Sequence, residues 1–214
     1  MLVAESRGNK LTRECVAFLL ALLLCLAPWL GGGFGSERYI QSFTEDFGDG
    51  AAEGWHLDDG RAATSDGGDY VLTADGGSGR AVADPWVTYA DNYILTLELK
   101  LLSGGSAGFE VRDSHFSDNT RRCYRTNLGS SSINLSRLDN YGSATLGNSQ
   151  MDIGYGQWHE IQIAVSKGNV RVYVDGNLKI EAQDPRPVPP GRFLVVRSGD
   201  ASFSVDDILV QPLQ

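Results

Sequence analysis

Period-two alternation dominates the chain from its middle onward. Tyr93, Leu95, Leu97, Leu99 and Leu101 occupy every second position, with Thr96, Glu98 and Lys100 between them. In an extended strand that spacing puts the apolar set on one side and the polar set on the other. Ile161, Ile163 and Val165 alternate in the same way with Glu160, Gln162 and Ala164, and Val170, Val172 and Val174 with Arg171, Tyr173 and Asp175. Each run reads as a half-buried strand of an antiparallel sheet. Lys167-Gly168-Asn169 and Asp175-Gly176-Asn177 supply the positive-φ residues that tight hairpin turns require, so Trp158 to about Ala182 is expected as a three-stranded meander.

Further strands are expected at Gln41 to Phe47, Tyr70 to Thr73, Gly108 to Asp113, Arg122 to Leu128, Ser132 to Leu138, Arg192 to Arg197 and Ala201 to Val210. Short strands separated by Gly, Asn, Asp and Ser predict an all-β, two-sheet sandwich. Asp184 to Pro190 (DPRPVPP) reads as an extended edge connection, because proline cannot donate to a sheet ladder. With 214 residues, the chain is long enough for one such domain with a sizeable core.

The N-terminal part has a different pattern. Arg7, Lys10 and Arg13 precede an apolar run from Val16 to Leu30, and Gly31, Gly32, Gly33 and Gly35 follow it. This is the layout of a secretory signal or signal anchor, so residues 1–35 are expected as an address and residues 36–214 as the folded domain, secreted or held at the cell surface. Contact with a membrane is expected only through that segment, if it is not cleaved. The whole chain has 18 Lys and Arg against 27 Asp and Glu, a formal charge of −9, which argues against nucleic acid as a partner. Without residues 1–35, 15 bases face 25 acids, and Cys123 is the only thiol remaining. The domain therefore has no internal disulfide.

The order of these pieces resembles the concanavalin A-like jelly rolls, which include laminin G-like domains, family 16 glucanases and the bacterial 3-keto-disaccharide hydrolases. The matching segments are EDFGDGAAEGW (Glu45 to Trp55), AGFEVRD (Ala107 to Asp113), GQWHEIQIAV with VRVYVDG (Gly156 to Gly176) and GRFLVVRSGDASFSVDDILV (Gly191 to Val210). The resemblance implies a jelly-roll sandwich and leaves activity open, because the fold serves binding modules, adhesins and enzymes alike. Many jelly rolls of this kind tie their first strand to their last with calcium. The residues in those places are Glu45, Asp46, Asp49, Asp206 and Asp207, so the resemblance implies either a structural Ca2+ there or, without a metal, an Asp206 that accepts backbone hydrogen bonds beside a solvated Asp207. If the last strand is regular, one of the adjacent Asp206 and Asp207 points inward. The resemblance also makes Trp55 and Trp158 core residues.

Retaining glucanases need an acid and a nucleophile about 5 Å apart on one sheet face. The strand around Glu98 carries no second carboxylate, so ordinary glucanase activity is not expected and no catalytic residue is assigned. Glu98, Glu110, Arg112 and Tyr124 are the expected ligand-binding residues, provided that strands 93–102 and 108–113 share one sheet. His56, His115 and His159 show no metal-ligand spacing. Trp86, Tyr89, Tyr124, Tyr141 and Tyr155 are the aromatic candidates for stacking on a sugar. The expected function is a carbohydrate-binding, lectin-like module with a glycan and surface proteins as partners. The rivals are a glycoside-processing enzyme on the same face and a structural part of an extracellular assembly.

Overall fold

The computed structural model describes residues 42–58, 61–77, 79–83, 92–114, 122–191 and 193–213. The N-terminal address, Trp86, Tyr89 and His115 lie outside these residues. Among the described residues there is no helix, and none is long and apolar enough to cross a membrane. The strands in chain order are β1 (Phe43–Glu45), β2 (Trp55–Leu57), β3 (Arg61–Asp66), β4 (Asp69–Asp75), β5 (Arg80–Ala83), β6 (Asn92–Ser103), β7 (Ser106–Asp113) and β8 (Cys123–Leu128). They continue with β9 (Ser132–Asp139), β10 (Gly142–Gln150), β11 (Trp158–Ser166), β12 (Asn169–Val174), β13 (Asn177–Gln183), β14 (Phe193–Gly199) and β15 (Ser202–Pro212).

They form two antiparallel sheets. The first runs β13-β12-β11-β6-β15-β4-β3, with β1 also pairing β15, and the second runs β10-β9-β8-β7-β14-β5-β2. The expected meander is β11-β12-β13, and its turns carry positive φ at Lys167 (47°), Gly168 (85°), Asp175 (51°) and Gly176 (70°). The alternation works as expected, since Leu95, Leu97, Leu99, Leu101, Ile161, Ile163 and Val165 are all buried in the core between the sheets. Ala107, Phe109, Val111, Tyr124, Leu128, Ile133 and Leu135 meet them from the second sheet.

Two irregularities decide where the polar side chains go. Between β6 and β7 the chain changes sheets instead of closing a hairpin. Gly105, at φ 53°, makes this possible: a Cβ there would lie 2.0 Å from the Gly199 carbonyl oxygen, so only glycine lets the crossing pass so close. The second irregularity is in β7. Val195 pairs Glu110 and Phe193 pairs Asp113, so Val111 and Arg112 together oppose Leu194, and Arg112 takes a φ of 59°. This is a β-bulge, and it reverses the side-chain alternation beyond it.

A buried carboxylate secures the proline-rich connection from β13 to β14. Asp184 accepts hydrogen bonds from Arg137 Nη1 (2.7 Å), Tyr124 Oη (3.2 Å) and its near neighbour Arg186 N (2.9 Å). Four residues on, Val188 donates from its N–H to Tyr124 Oη (3.1 Å) and accepts at its carbonyl from Arg112 Nη1 (2.7 Å). The segment therefore has fixed partners for its polar groups despite lacking four amide donors at its prolines.

Candidate functional site

The outward side of the second sheet carries the polar cluster. In β7, Gly108 and Glu110 face away from the core, because Ala107, Phe109 and Val111 face into it. Glu110 pairs across the strands with Arg125 of β8 and Val195 of β14. Its Oε1 accepts from Arg125 Nε at 2.6 Å and from Arg197 Nη1 at 3.0 Å. The carboxylate is 0% exposed, whereas the two arginines are 21% and 23% exposed, so their guanidinium groups lie between Glu110 and solvent. Gly108 supplies the room for this arrangement: a Cβ there would fall 2.7 Å from Arg197 Cγ and 2.9 Å from Asn127 Oδ1.

The bulge adds a second carboxyl group. Because Val111 and Arg112 occupy the extra register position, Asp113 returns to the side of Glu110. One ligand-type atom each from Glu110, Asp113 and Cys123 lies within 4.8 Å of the others, and all three residues are buried. A polar row extends the face away from this cluster: Asn127, Asn134 and Asn148 are successive cross-strand partners on β8, β9 and β10. Asn134 Nδ2 donates to Asn148 Oδ1 at 2.5 Å, and Ser136 Oγ donates to Asn134 Oδ1 at 2.7 Å. On the far side, Arg80 Nε meets Asp58 Oδ2 at 3.3 Å.

The four expected ligand residues do not meet. Glu98 is on β6 in the first sheet and Glu110 is on β7 in the second, so the expectation of one shared sheet is corrected: the chain switches sheets at Gly104 and Gly105. Arg112 is turned inward by the bulge and holds the Val188 carbonyl. Its own N–H donates to Tyr93 Oη at 3.0 Å. Tyr124 is also internal, fully buried under the Asp184 segment, and burial is the main cause that pushes its phenol up to about 12, with the Asp184 charge adding to it. It is no platform for a sugar. Only Glu110 of the four lies on the outward polar face.

Glu98 lies on the outward face of the first sheet, in a cross-strand row with Glu160 of β11 and Asp206 of β15. Its carboxyl is pushed up by partial burial and then by the charges of Glu160, Asp207 and Asp175. Trp158, expected in the core, is instead 39% exposed on this face, opposite Lys100, whose ammonium lies 4.7 Å from its ring centroid. Lys100 is also paired with Asp66.

Of the five residues expected for calcium, all among the described residues, Glu45 lies on β1 opposite Ile208 of β15, and no three of the five bring carboxylate oxygens close enough together to hold an ion. The last strand is not regular there. A bulge between Asp206 and Leu209, with Asp207 at φ 49°, lets neither aspartate point into the core. Glu45, Asp46, Asp49 and Asp206 each accept a backbone N–H within two residues of themselves. Asp206 is pushed up to about 6, first by burial and then by the charges of Asp207, Asp69 and Asp46.

The sequence reading missed Arg125, Arg197, Asp113 and Cys123 as members of one site. Arg125 and Asn127 alternate with Tyr124 and Leu128, so the signal for the outward direction of Arg125 was present, whereas Arg197 ends the unbroken apolar run from Phe193 to Val196, which carries none. Their convergence on Glu110 depended on strand order, which periodicity does not carry.

The model of one family, the 3-keto-alpha-glucoside-1,2-lyase-like domain, matches residues 42–210. No curated protein matches the chain. Among solved structures, a native glycosidic hydrolase shares the fold with a TM-score of 0.61 at 13% identity, over 82% of this chain and 97% of that one. The carbohydrate binding module CBM66 from Bacillus subtilis does so with a TM-score of 0.54 at 13% identity, over 72% of this chain and 93% of that one. The apo Crh5 transglycosylase gives 0.59 at 12% identity, covering 81% and 85%.

Proposed function

Because this chain belongs to the 3-keto-alpha-glucoside-1,2-lyase-like domain family, we propose that it is a carbohydrate-active domain that cleaves a 3-keto-glucoside on the outward face of its second sheet. One observation carries the reading: Glu110 is a fully buried carboxylate on an outward sheet face, held by two arginines that reach solvent. Removing a charge from water is costly and adds little to folding that an apolar residue would not add. Such a group on a polar face is a candidate for chemistry.

The reaction named by the family needs no water and no oxidant. A ketone at C3 acidifies the hydrogen on C2. When a base removes that proton, the electron pair passes through an enolate and expels the oxygen substituent from C1. The C2–H and C1–O bonds break, C1 and C2 become doubly bonded, and the leaving oxygen takes up a proton. Glu110 and Asp113, whose carboxyl groups lie within 4.8 Å of each other, are the acid–base pair. Arg125 and Arg197 donate to the developing enolate oxygen with the N–H groups that Glu110 does not occupy. Asn127 and Asn134 bind sugar hydroxyls along the neighbouring row. The segment Val16–Leu30, behind its three basic residues, directs the domain out of the cytoplasm, where it meets its glycan.

The test uses the full chain and a nitrophenyl 3-keto-α-glucoside, with nitrophenol release as the signal. Release from the keto compound and none from the parent glucoside is the expected result, and Glu110→Gln should lower the rate at least about a hundredfold. Saturable binding without release would make the domain a binding module only. Neither binding nor release would overturn the whole reading.

A further inference from the structure

A cleft lies beyond the edge of this face, at the end of the second sheet. It has a volume of about 290 Å3 and is framed by the β9–β10 turn on one side and the Asp184–Pro190 segment on the other. Arg122, Arg137, Arg186, Asp139, Tyr141 and Val188 are the lining residues that matter here. The guanidinium of Arg137 is already taken, with Asp184 at 2.7 Å and Asp139 at 3.0 Å. Arg122 and Arg186 are exposed, and neither side chain meets a carboxylate among the described residues. In a chain of formal charge −9, three arginines facing two aspartates around one cleft form a local excess of positive charge.

The cleft also has an aromatic wall. Tyr141 is 89% exposed, and the Arg186 guanidinium lies 6.0 Å from its ring centroid. The Tyr141 backbone is fixed by an N–H donated to Asp139 Oδ1 at 2.8 Å. The opposite wall is fixed too, since Val188 is bonded at both its N–H and its carbonyl and is flanked by Pro187 and Pro189. Little order therefore remains to be imposed when a ligand enters. An apolar ring face beside guanidinium groups that meet no carboxylate is the combination that suits a sugar bearing a carboxylate: the ring's C–H face lies on tyrosine, and the planar fork of arginine matches the carboxylate.

We infer that this cleft is a second saccharide site, selective for an acidic sugar residue whose carboxylate is held by Arg122 and Arg186 and whose ring lies on Tyr141. It is separate from the Glu110 cluster in residues and in ligand charge, and it does not depend on the reaction proposed there. An extended acidic glycan bound here would be anchored while the Glu110 face is free for another unit.

The experiment is calorimetric titration of the full chain with trigalacturonate and with its methyl ester, which has the same shape without the charge. The acid should bind at least tenfold more tightly than the ester, and its affinity should fall as salt is raised from about 50 to about 200 mM. Arg186→Ala and Arg122→Ala should each weaken binding about tenfold and Tyr141→Ala several-fold, with unchanged melting temperatures because all three side chains are exposed. Glu110→Gln should leave the titration unchanged. Equal binding of acid and ester, wild-type affinity in both arginine variants, loss of binding in Glu110→Gln, or no binding at millimolar acid would each overturn the inference. None of these results depends on whether a 3-keto-glucoside is cleaved.

Discussion

The outward faces of the two sheets treat the same problem in opposite ways. Each sheet has a central strand with one glutamate near its middle, Glu98 on β6 and Glu110 on β7. Across the strands from Glu98 lie Glu160 and Asp206, so carboxylate faces carboxylate in both directions. Across from Glu110 lies Arg125, with Arg197 reaching over Gly108 from the other side. Like charges directly opposite each other are unfavourable, and on the first face they add to partial burial, the larger cause, in pushing the Glu98 and Asp206 carboxyls up. The second face neutralises its carboxylate with guanidinium groups and can bury it completely. The neighbours of a carboxylate, rather than its position in the strand, decide what it can do.

The largest expected contrast follows from removing each glutamate. Glu110→Ala leaves two guanidinium groups facing each other over an empty, half-sheltered pocket. It should lower stability by about 3 kcal/mol, the lower end of what losing one partner of a buried pair costs, because both arginines can turn to water. Glu98→Ala should change stability by no more than about 0.5 kcal/mol, as for most surface positions. Urea unfolding of both variants checks this, and equal losses would remove the distinction between the faces. Gly108→Ala is the next effect. Its Cβ would displace the Arg197 stem from 2.7 Å, detaching the guanidinium from Glu110. A destabilisation of about 1 kcal/mol is expected from the overpacking, with a loss of nitrophenol release well beyond it. Release equal to that of the wild type would show that Arg197 is not needed.

The strands that pack were legible, and so was the sandwich. Leu95 to Leu101 and Ile161 to Val165 alternate because one side of each is in the core, and that alternation is all that periodicity reports. Strand β10 was not legible. Its sequence, GSATLGNSQ, lies at a sheet edge with no fully buried residue and with Leu146 alone packed against the core, so little in it selects for alternation. The candidate site was read only in part, and for two local reasons. Ser103-Gly104-Gly105-Ser106 looks like a hairpin turn, yet the close pass of Gly105 against Gly199 sends β7 into the other sheet. AGFEVRD alternates as if Arg112 stood beside Glu110, but the bulge turns Arg112 inward and brings Asp113 outward. No glycine or asparagine marks that left-handed residue, so the sequence carries no sign of it. Glu110 was found because it precedes the bulge.

The smaller effects lie on the first face and concern pH. Asp206 titrates near 6 in the folded chain against 3.8 as its ordinary value. A raised carboxyl pKa means that the folded state holds its proton more tightly than the unfolded state. Its contribution is therefore favourable below about 3.8 and is lost as pH rises through about 6. Asp206→Asn should raise the melting temperature at pH 7 by a few degrees and have little effect at pH 4, so a uniform shift at both pH values would contradict this assignment. The same group gives the expected calcium its sharpest test. If Ca2+ joins β1 to β15, it binds the ionised Asp206 together with Asp46, so millimolar calcium should raise the melting temperature at pH 7 in the wild type and not in Asp206→Asn. Glu98→Gln should move stability in the same direction and by less, because Glu98 is raised by burial and by Glu160 while His159 opposes the shift. Its melting temperature should rise slightly at pH 7 and match the wild type near pH 4. A fall at pH 7 would mean that the Glu98 carboxylate has a favourable partner on this face, and the contrast with Glu110 would then rest on the arginines alone.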